Sequence, residues 1–364
     1  MTAGAFGAKL SGARLERAQS SPQWERGVFR NASLVAPGLK RGTALPTIGE
    51  YLFSGERRTP PGPMPMESPL HRWARPVETG LRVTWLGHST VLLEVDGVRV
   101  LTDPVWGERA SPFAFAGPRR FHPSPVPLAS LPPLDAVVIS HDHYDHLDYP
   151  TVVELAKRTN VPFVASLGVG AHLEAWGVPA DRITELDWWE TAHLSRGGVS
   201  VTAAPSQHFS GRGLASRNAT LWSSFVVRGP RRSVFFSGDT GLTSEYAAIA
   251  ERLGPFDLVM LEVGAYHPAW GDIHLGPTNA LEALALLGNP SFLPVHWGTF
   301  NLAIHAWDDP PETLLELGPK RGAHLVMPRL GEAVEPSRLE QVDPWWRAVA
   351  REARLAKEAP AANR

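Results

Sequence analysis

Residues 137–150 read VVISHDHYDHLDYP. An aliphatic run closes at Ser140, and the next eight positions hold three histidines and three aspartates. The apolar half has the length and β-branched character of a buried strand. The polar half is the loop that leaves its end, and His141, His143, Asp145 and His146 space themselves in it as H-x-H-x-D-H. On an extended segment side chains two apart project to one side, so His141 and His143 can face one cation while Asp145 and His146 turn toward a second. Burying four such groups with no cation to neutralise them is costly. Taken alone, the stretch also fits a solvated polar loop.

The remainder of the chain decides between the two. His208 follows the strand-like VSVTAAPSQ, Asp239 follows SVFFSG and His296 follows SFLPV. Loops at strand ends are where a rigid scaffold assembles a site, and one histidine past a strand means little where four such positions together mean much. With no cysteine in the chain, the donors are imidazole and carboxylate. That set suits Zn²⁺ first, while Fe²⁺ and Mn²⁺ suit the same donors. Two ions about 3.5–4 Å apart can share one carboxylate and one water-derived hydroxide, which stays deprotonated near neutral pH and serves as a nucleophile. Asp239 is the candidate bridge, and the cluster is read as a device for making hydroxide.

From residue 81 short apolar runs alternate with turn chemistry. LRVTWL, TVLLEV and VRVLT read as strands, with Asp96-Gly97 as a hairpin turn between the last two. AVVIS, PFVAS, VSVTAA, SSFVV, SVFFS, DLVML and FLPV read as further strands, and helical patterns lie near 168–176, 243–253 and 277–287. The mixture argues for α/β layers containing mixed sheets.

The 364 residues are 43% hydrophobic and 20% charged, with a net charge of −2. This is a globular composition without the global basic field that gathers nucleic acid, so nucleic acid is not an expected partner. No stretch reads as a secretory signal or approaches the ~18 apolar residues of a membrane span, so a soluble, cytoplasmic protein is expected. Three regions are expected: 1–79, a basic arm and Pro-rich wrapping segment; 80–340, the catalytic domain; and 341–364, a C-terminal helix or tail in which Trp345 and Trp346 are packing anchors. Residues 1–41 carry seven Lys/Arg against two Glu, a local net charge of +5. This arm reads as solvated and partly mobile, and it can also touch the inner surface of an anionic membrane peripherally.

The metal pattern resembles that of the metallo-β-lactamase superfamily, which implies an αββα sandwich with a binuclear site at one edge. More narrowly, GLRVTWLGHSTVLLEVDG, LTDPVW, GPRRFHPSP, LDAVVISHDHYDHLDY, ELDWWE, PSQHFSGR, GDTG, GPFDL, GAYHPAW and VHWGTF resemble N-acylphosphatidylethanolamine phospholipase D and its bacterial relatives over about residues 80–305. The resemblance implies one zinc held by His141, His143 and His208, a second held by Asp145, His146 and His296, and Asp239 bridging them. It implies a phospholipid or other phosphodiester substrate whose phosphorus is attacked by the bridging hydroxide, releasing an N-acylethanolamine and phosphatidic acid. Asp145, Asp239 and His274 are the catalytic candidates. The sequence departs from those relatives in WGDIH (270–274), which is shorter and less aromatic and basic, and in Phe209, where they often place Trp. Lactone or other ester hydrolysis is the alternative chemistry, and a noncatalytic module stapled by metal is the alternative class.

Other residues divide between roles. His88 stands either near the site or in a structural hydrogen bond. His274 and His305 are outer partners of the site or ordinary histidines, and Arg212 is a phosphate fork or a surface salt bridge. Trp188 and Trp189 read as packing residues rather than a lipid-facing patch. Asp103, before Pro104, either orients a ligand or builds a turn, and it is left out of the ligand set.

Overall fold

A computed structural model describes residues 3–351 except 34, 36–39, 41, 44–45, 48, 51–56 and 214–215. A small hairpin, β1 (Trp24–Glu25) and β2 (Val28–Phe29), precedes the main body. The first large sheet begins as an antiparallel meander of β3 (Leu81–Gly87), β4 (Thr90–Val95) and β5 (Val98–Thr102). At the β4–β5 turn Val95 pairs with Val98, and Asp96 and Gly97 both take positive φ (48° and 85°). Those are the dihedral signs of the type I′ turn that an Asp-Gly pair favours. Strands β6 (Ala136–Ile139), β7 (Phe163–Ser166) and β8 (Ile183–Leu186) then extend the sheet in parallel from β5.

The second sheet starts with four antiparallel strands: β9 (Thr191–His193), β10 (Ser200–Ala204), β11 (Ser224–Arg228) and β12 (Ser233–Phe236). It finishes in parallel with β13 (Leu258–Glu262) and β14 (Ser291–Val295). A last short strand, β15 (Ala333–Val334), returns to the first sheet beside β3.

Both faces of the first sheet are buried along β3 to β7, which explains why these strands read as nearly unbroken apolar runs, while β8 at the edge is only partly buried. Val83, Trp85, Val91, Leu93, Val100 and Val138 share one core with Val201, Ala203, Phe225 and Val227 of the second sheet. The alternate residues Leu86, Leu92, Leu101, Val137 and Ile139 join a separate cluster with Val152 and Leu155 of the helix Tyr149–Arg158 and Leu173 of the helix Gly170–Ala175. The helices Glu245–Leu253 and Gly276–Leu286 add Tyr246, Ile249, Leu281 and Leu284 to the larger core, Tyr246 packing edge-on to Phe235. Helix, sheet, sheet, helix is the αββα sandwich.

Trp345 and Trp346 are buried, and Trp345 continues a stack in which Trp85 and Trp297 lie 5.1 Å apart and Trp297 and Trp345 5.6 Å. Aromatic pairs of this kind contribute about 1 kcal/mol each beyond their burial, so the expectation of packing anchors holds. Residues 352–364 of the C-terminal tail lie outside the described residues, as does much of 34–56.

The arm is a correction. Over residues 3–33 it is docked rather than solvated. Ala18 and Phe29 are buried against Leu167, Trp188, Leu221 and Trp222, Arg14 pairs with Glu174 at 3.1 Å and with Glu185, and Arg17 pairs with Glu190. The apolar side chains spaced among its charges cover tryptophans that the second sheet leaves open. Trp188 itself is buried and donates from Nε1 to the carbonyl of Trp222 at 2.9 Å.

Candidate metal centre

The centre forms where strands end, the position that parallel sheets leave open for a ligand. His88 follows β3, Asp103 follows β5, His141 follows β6, Asp239 follows β12, Glu262 closes β13 and His296 follows β14. Three of these, His88 (φ 53°), Asp103 (33°) and His296 (63°), take left-handed backbone conformations that side chains ordinarily avoid. Such conformations cost on the order of 1–3 kcal/mol each and persist where surrounding structure imposes them.

Two groups of side chains meet at Asp239. His141, His143, His208 and Asp239 converge: His143 Nδ1 lies 2.9 Å from His141 Nε2 and 3.3 Å from His208 Nε2, and Asp239 Oδ2 lies 3.9 and 3.7 Å from those two Nε2 atoms. On the other side Asp145, His146, His296 and His88 converge, with Asp145 Oδ2 3.5 Å from His146 Nε2, 3.3 Å from His296 Nε2 and 2.9 Å from His88 Nε2. Asp239 spans both groups, its Oδ1 3.1 Å from His146 Nε2 and its Oδ2 3.1 Å from His296 Nε2.

Their outward nitrogens are braced. His208 Nδ1 donates to the carbonyl of Ile273 at 2.9 Å, and His146 Nδ1 donates to Asp103 Oδ2 at 2.7 Å. His141 Nδ1 meets Ser140 Oγ at 2.9 Å, and that hydroxyl donates onward to Asp103 Oδ2 at 2.6 Å. A proton held on each Nδ1 turns the Nε2 lone pair inward, the tautomer a metal ligand needs.

The donor set fits divalent cations. His146 Nε2, His296 Nε2 and Asp239 Oδ1 are buried and make no hydrogen bond despite their 3.1 Å approaches. Leaving these buried atoms unsatisfied costs about 1–3 kcal/mol apiece, a cost that a cation held among them would remove. Burial, reinforced by neighbouring imidazoles, holds His141 and His208 well below the usual histidine range, so both present neutral nitrogens. Burial alone would raise Asp145 and Asp239, but the imidazoles beside them, His146 foremost, pull both well below the carboxylate range. Burial opposes a proton on His296, yet Asp239 and Asp145 push it up to about 10. Two buried carboxylates thus draw positive charge into the cluster, as protons or as cations that displace them.

A beta-lactamase superfamily domain model matches residues 98–297. The chain belongs to the metallo-β-lactamase superfamily. An uncharacterized protein of Mycobacterium tuberculosis is 46% identical over 352 residues, covering 95% of this chain and 92% of that one. An N-acyl-phosphatidylethanolamine-hydrolyzing phospholipase D of Caenorhabditis elegans is 40% identical over 250 residues, covering 66% of this chain and 70% of its own. Among solved structures, a metallo hydrolase of the archaeon Ignicoccus hospitalis superposes with a TM-score of 0.54 at 26% identity, covering 70% of this chain and 97% of that one. This chain is a metal-dependent hydrolase of the superfamily.

The superfamily fold brings all seven sequence-nominated ligands into one cluster. It also gathers residues the sequence left open or passed over. Asp103 takes the orienting role rather than the turn role alone, and His88 reaches the centre through Asp145. Burial drives His88 down to about 3, so it is neutral and donates to Asp145. Glu262 was missed; its signal was an acid closing the otherwise apolar LVMLE. It accepts from Thr240 N at 3.1 Å, Leu275 N at 3.0 Å and His274 Nδ1 at 3.0 Å. Burial opposes a proton on His274, and Glu262 overcomes this and raises it. His274 also lines a cleft of about 220 Å³ with Tyr266, Trp270, Asp272 and Asn279. His305 stays outside the cluster, stacked 4.5 Å from Tyr266 with Nδ1 donating to the carbonyl of Ala306 at 2.8 Å.

Arg212 overturns both of its expected roles. It is buried and donates to the carbonyls of Ala5 at 2.8 Å, Asp142 at 2.6 Å and Leu147 at 2.8 Å. Neither a phosphate nor a surface carboxylate can use a guanidinium spent on clamping the motif loop.

Proposed function

We propose that this hydrolase is a phosphodiesterase of the N-acylphosphatidylethanolamine phospholipase D type, with residues 80–340 as its catalytic unit and two zinc ions as its cofactor. His141, His143 and His208 would hold one ion, Asp145, His146 and His296 the other, with Asp239 between. The observation that carries the reading is Asp239, whose two oxygens face the two histidine groups. Cations bound there supply Lewis acidity toward phosphate oxygens and a water acidified toward neutral pH.

The chain's own residues do the rest. Asp103 and the carbonyl of Ile273 hold the imidazole tautomers, and His88 orients Asp145 through its 2.9 Å hydrogen bond. His274, its Nδ1 hydrogen-bonded to Glu262 and its ring lining the cleft, would give a proton to the departing alkoxide oxygen. Support for the substrate class comes from the identity shared with the nematode enzyme.

Support for contact with a lipid surface comes from Phe115, which is 77% exposed, and from its neighbours. Its ring lies 5.6 Å from Phe113, which lies 5.9 Å from Phe6 of the N-terminal segment, and Arg109 and Arg119 flank Phe113 and Phe115 in their own loop, Arg119 paired with Glu108 at 2.7 Å. Among the described residues no helix is long and apolar enough to cross a membrane.

Incubation of zinc-loaded protein with N-acylphosphatidylethanolamine micelles in ¹⁸O-water tests the reading. Attack at phosphorus cleaves the P–O bond to the ethanolamide, so the label enters phosphatidic acid while the N-acylethanolamine leaves unlabelled. No product from protein shown to hold two zincs would discard this substrate, and label in a released fatty acid would shift the chemistry to ester hydrolysis.

A further inference from the structure

His208 lies four residues beyond the end of β10, where the ladder to β9 and β11 no longer supplies partners for its main chain. One side chain does so instead. Asn31 Oδ1 accepts from His208 N at 3.0 Å, and Asn31 Nδ2 donates to His208 O at 2.8 Å. The amide thus offers the donor and acceptor that a neighbouring strand would present. Its Oδ1 is pinned a second time by Trp222 Nε1 at 2.9 Å, so the amide cannot turn over without losing all three bonds.

Asn31 is itself held from behind. Phe29, two residues earlier, donates from its amide to the carbonyl of Asn218 at 2.8 Å and is fully buried with Trp188, Leu221 and Trp222. Arg30 closes the small hairpin by donating from its amide to the carbonyl of Gln23 at 2.9 Å. With the backbone of His208 fixed by Asn31 and its Nδ1 fixed on the carbonyl of Ile273, the ring has no remaining freedom. Its Nε2 is held 3.3 Å from His143 Nδ1 and 3.7 Å from Asp239 Oδ2. Asn31 lies well before residues 98–297, the stretch matched by the superfamily model.

We propose that Asn31 is a positioning residue for His208, so that the docked N-terminal arm completes the metal centre. The inference rests on the reading of His208 as a metal ligand. Residues that orient a ligand typically change metal affinity 10–100-fold when removed, and that is the size of effect expected here.

The test is a Co²⁺ titration of the metal-free full-length protein, followed by its visible absorption and paired with thermal melts. The wild type should take up two equivalents tightly and His208→Ala only one. Asn31→Ala should bind one equivalent as the wild type does and the second at least 10-fold more weakly, with an altered visible band for that equivalent alone. Arg17→Ala, which loosens the arm at its outer pair with Glu190, should titrate as the wild type. Should Asn31→Ala not fold, Asn31→Asp keeps the acceptor for His208 N and Trp222 and loses only the donor to His208 O, and it should weaken the same equivalent. If the Asn31 variants melt earlier but bind both equivalents with wild-type affinity and spectrum, the positioning role is overturned. If His208→Ala itself takes up two equivalents tightly, the ligand assignment fails and the inference with it.

Discussion

Asp103 is the residue whose replacement exposes how the centre is braced. Its fully buried carboxylate accepts from Ser140 N at 2.7 Å, Ser140 Oγ at 2.6 Å and His146 Nδ1 at 2.7 Å. Asp103→Ala strands three donors, and at about 1–3 kcal/mol each the sum of roughly 3–9 kcal/mol rivals the ~5–15 kcal/mol of a typical protein's whole stability. That variant is expected to unfold and teaches little. Asp103→Asn is nearly isosteric and keeps one oxygen for Ser140 N, but it sets an amide N–H against the Nδ1–H of His146. The clash is relieved when His146 moves its proton to Nε2, the nitrogen that faces Asp239 Oδ1 at 3.1 Å. The lone pair that would hold a cation is then gone. A loss of 10–100-fold in affinity at one of two sites is expected, about 1.4–2.7 kcal/mol. Competition against a fluorescent chelator measures it, and thermal melts of the metal-free proteins check the fold. Asp103→Asn binding both ions as tightly as the wild type, with unchanged turnover, would refute the reasoning.

Asp239→Asn should leave the protein folded and abolish turnover, because only an anionic carboxylate can serve both histidine groups. Wild-type rates from this variant, measured by product release, would remove the bridging role. His122 gives a pH prediction. Burial, then the nearby Arg120, lowers it to about 3, with Nδ1 donating to the carbonyl of Pro123 and Nε2 meeting Thr299 Oγ1 at 3.2 Å. Its folded pKa lies below the unfolded value of 6.5, so its contribution to stability is complete above pH 6.5. That contribution declines as pH falls toward 3, at up to about 1.4 kcal/mol per unit. His122→Asn should flatten this part of a denaturation series, and an unchanged slope would contradict the assignment. For the lipid surface, a Phe113→Ala/Phe115→Ala double variant should lose binding to anionic vesicles while its hydrolysis of a soluble phosphodiester is retained. Wild-type binding should weaken as salt is raised, since the arginine contribution is screened over about 8–10 Å.

Strands β3 to β7 and β10 to β14 were legible because they are apolar and separated by strong turn chemistry, Asp96-Gly97 most plainly, whereas β8 and β9 at the sheet edges are only partly buried and β15 has two residues, so none of the three was read. The helix Tyr149–Arg158 escaped notice because the same letters that advertise a metal site also start it. Of the three aspartates in the opening run, Asp145 faces the centre. Asp142 accepts from Gly211 N at 2.7 Å, and Asp148 caps the helix by accepting from Thr151 N at 3.3 Å. No spacing rule separates these three uses of one residue type. The seven clustered residues were legible because each follows a recognisable strand. Glu262 left a signal, the acid closing LVMLE, that was passed over; Asn31 and the true work of Arg212 left none, because they bond main-chain groups remote in sequence, and a hydrogen bond to a carbonyl 177 residues away leaves no local pattern.

The central claim is that seven side chains, His141, His143, Asp145, His146, His208, Asp239 and His296, hold two cations with Asp239 between them. Anomalous diffraction at the zinc edge, from crystals of the zinc-loaded protein, tests it most directly. Two peaks are expected, one among His141, His143 and His208 and one among Asp145, His146 and His296, both in contact with Asp239. A single peak, or zinc bound elsewhere while these seven residues remain ordered, would contradict the account.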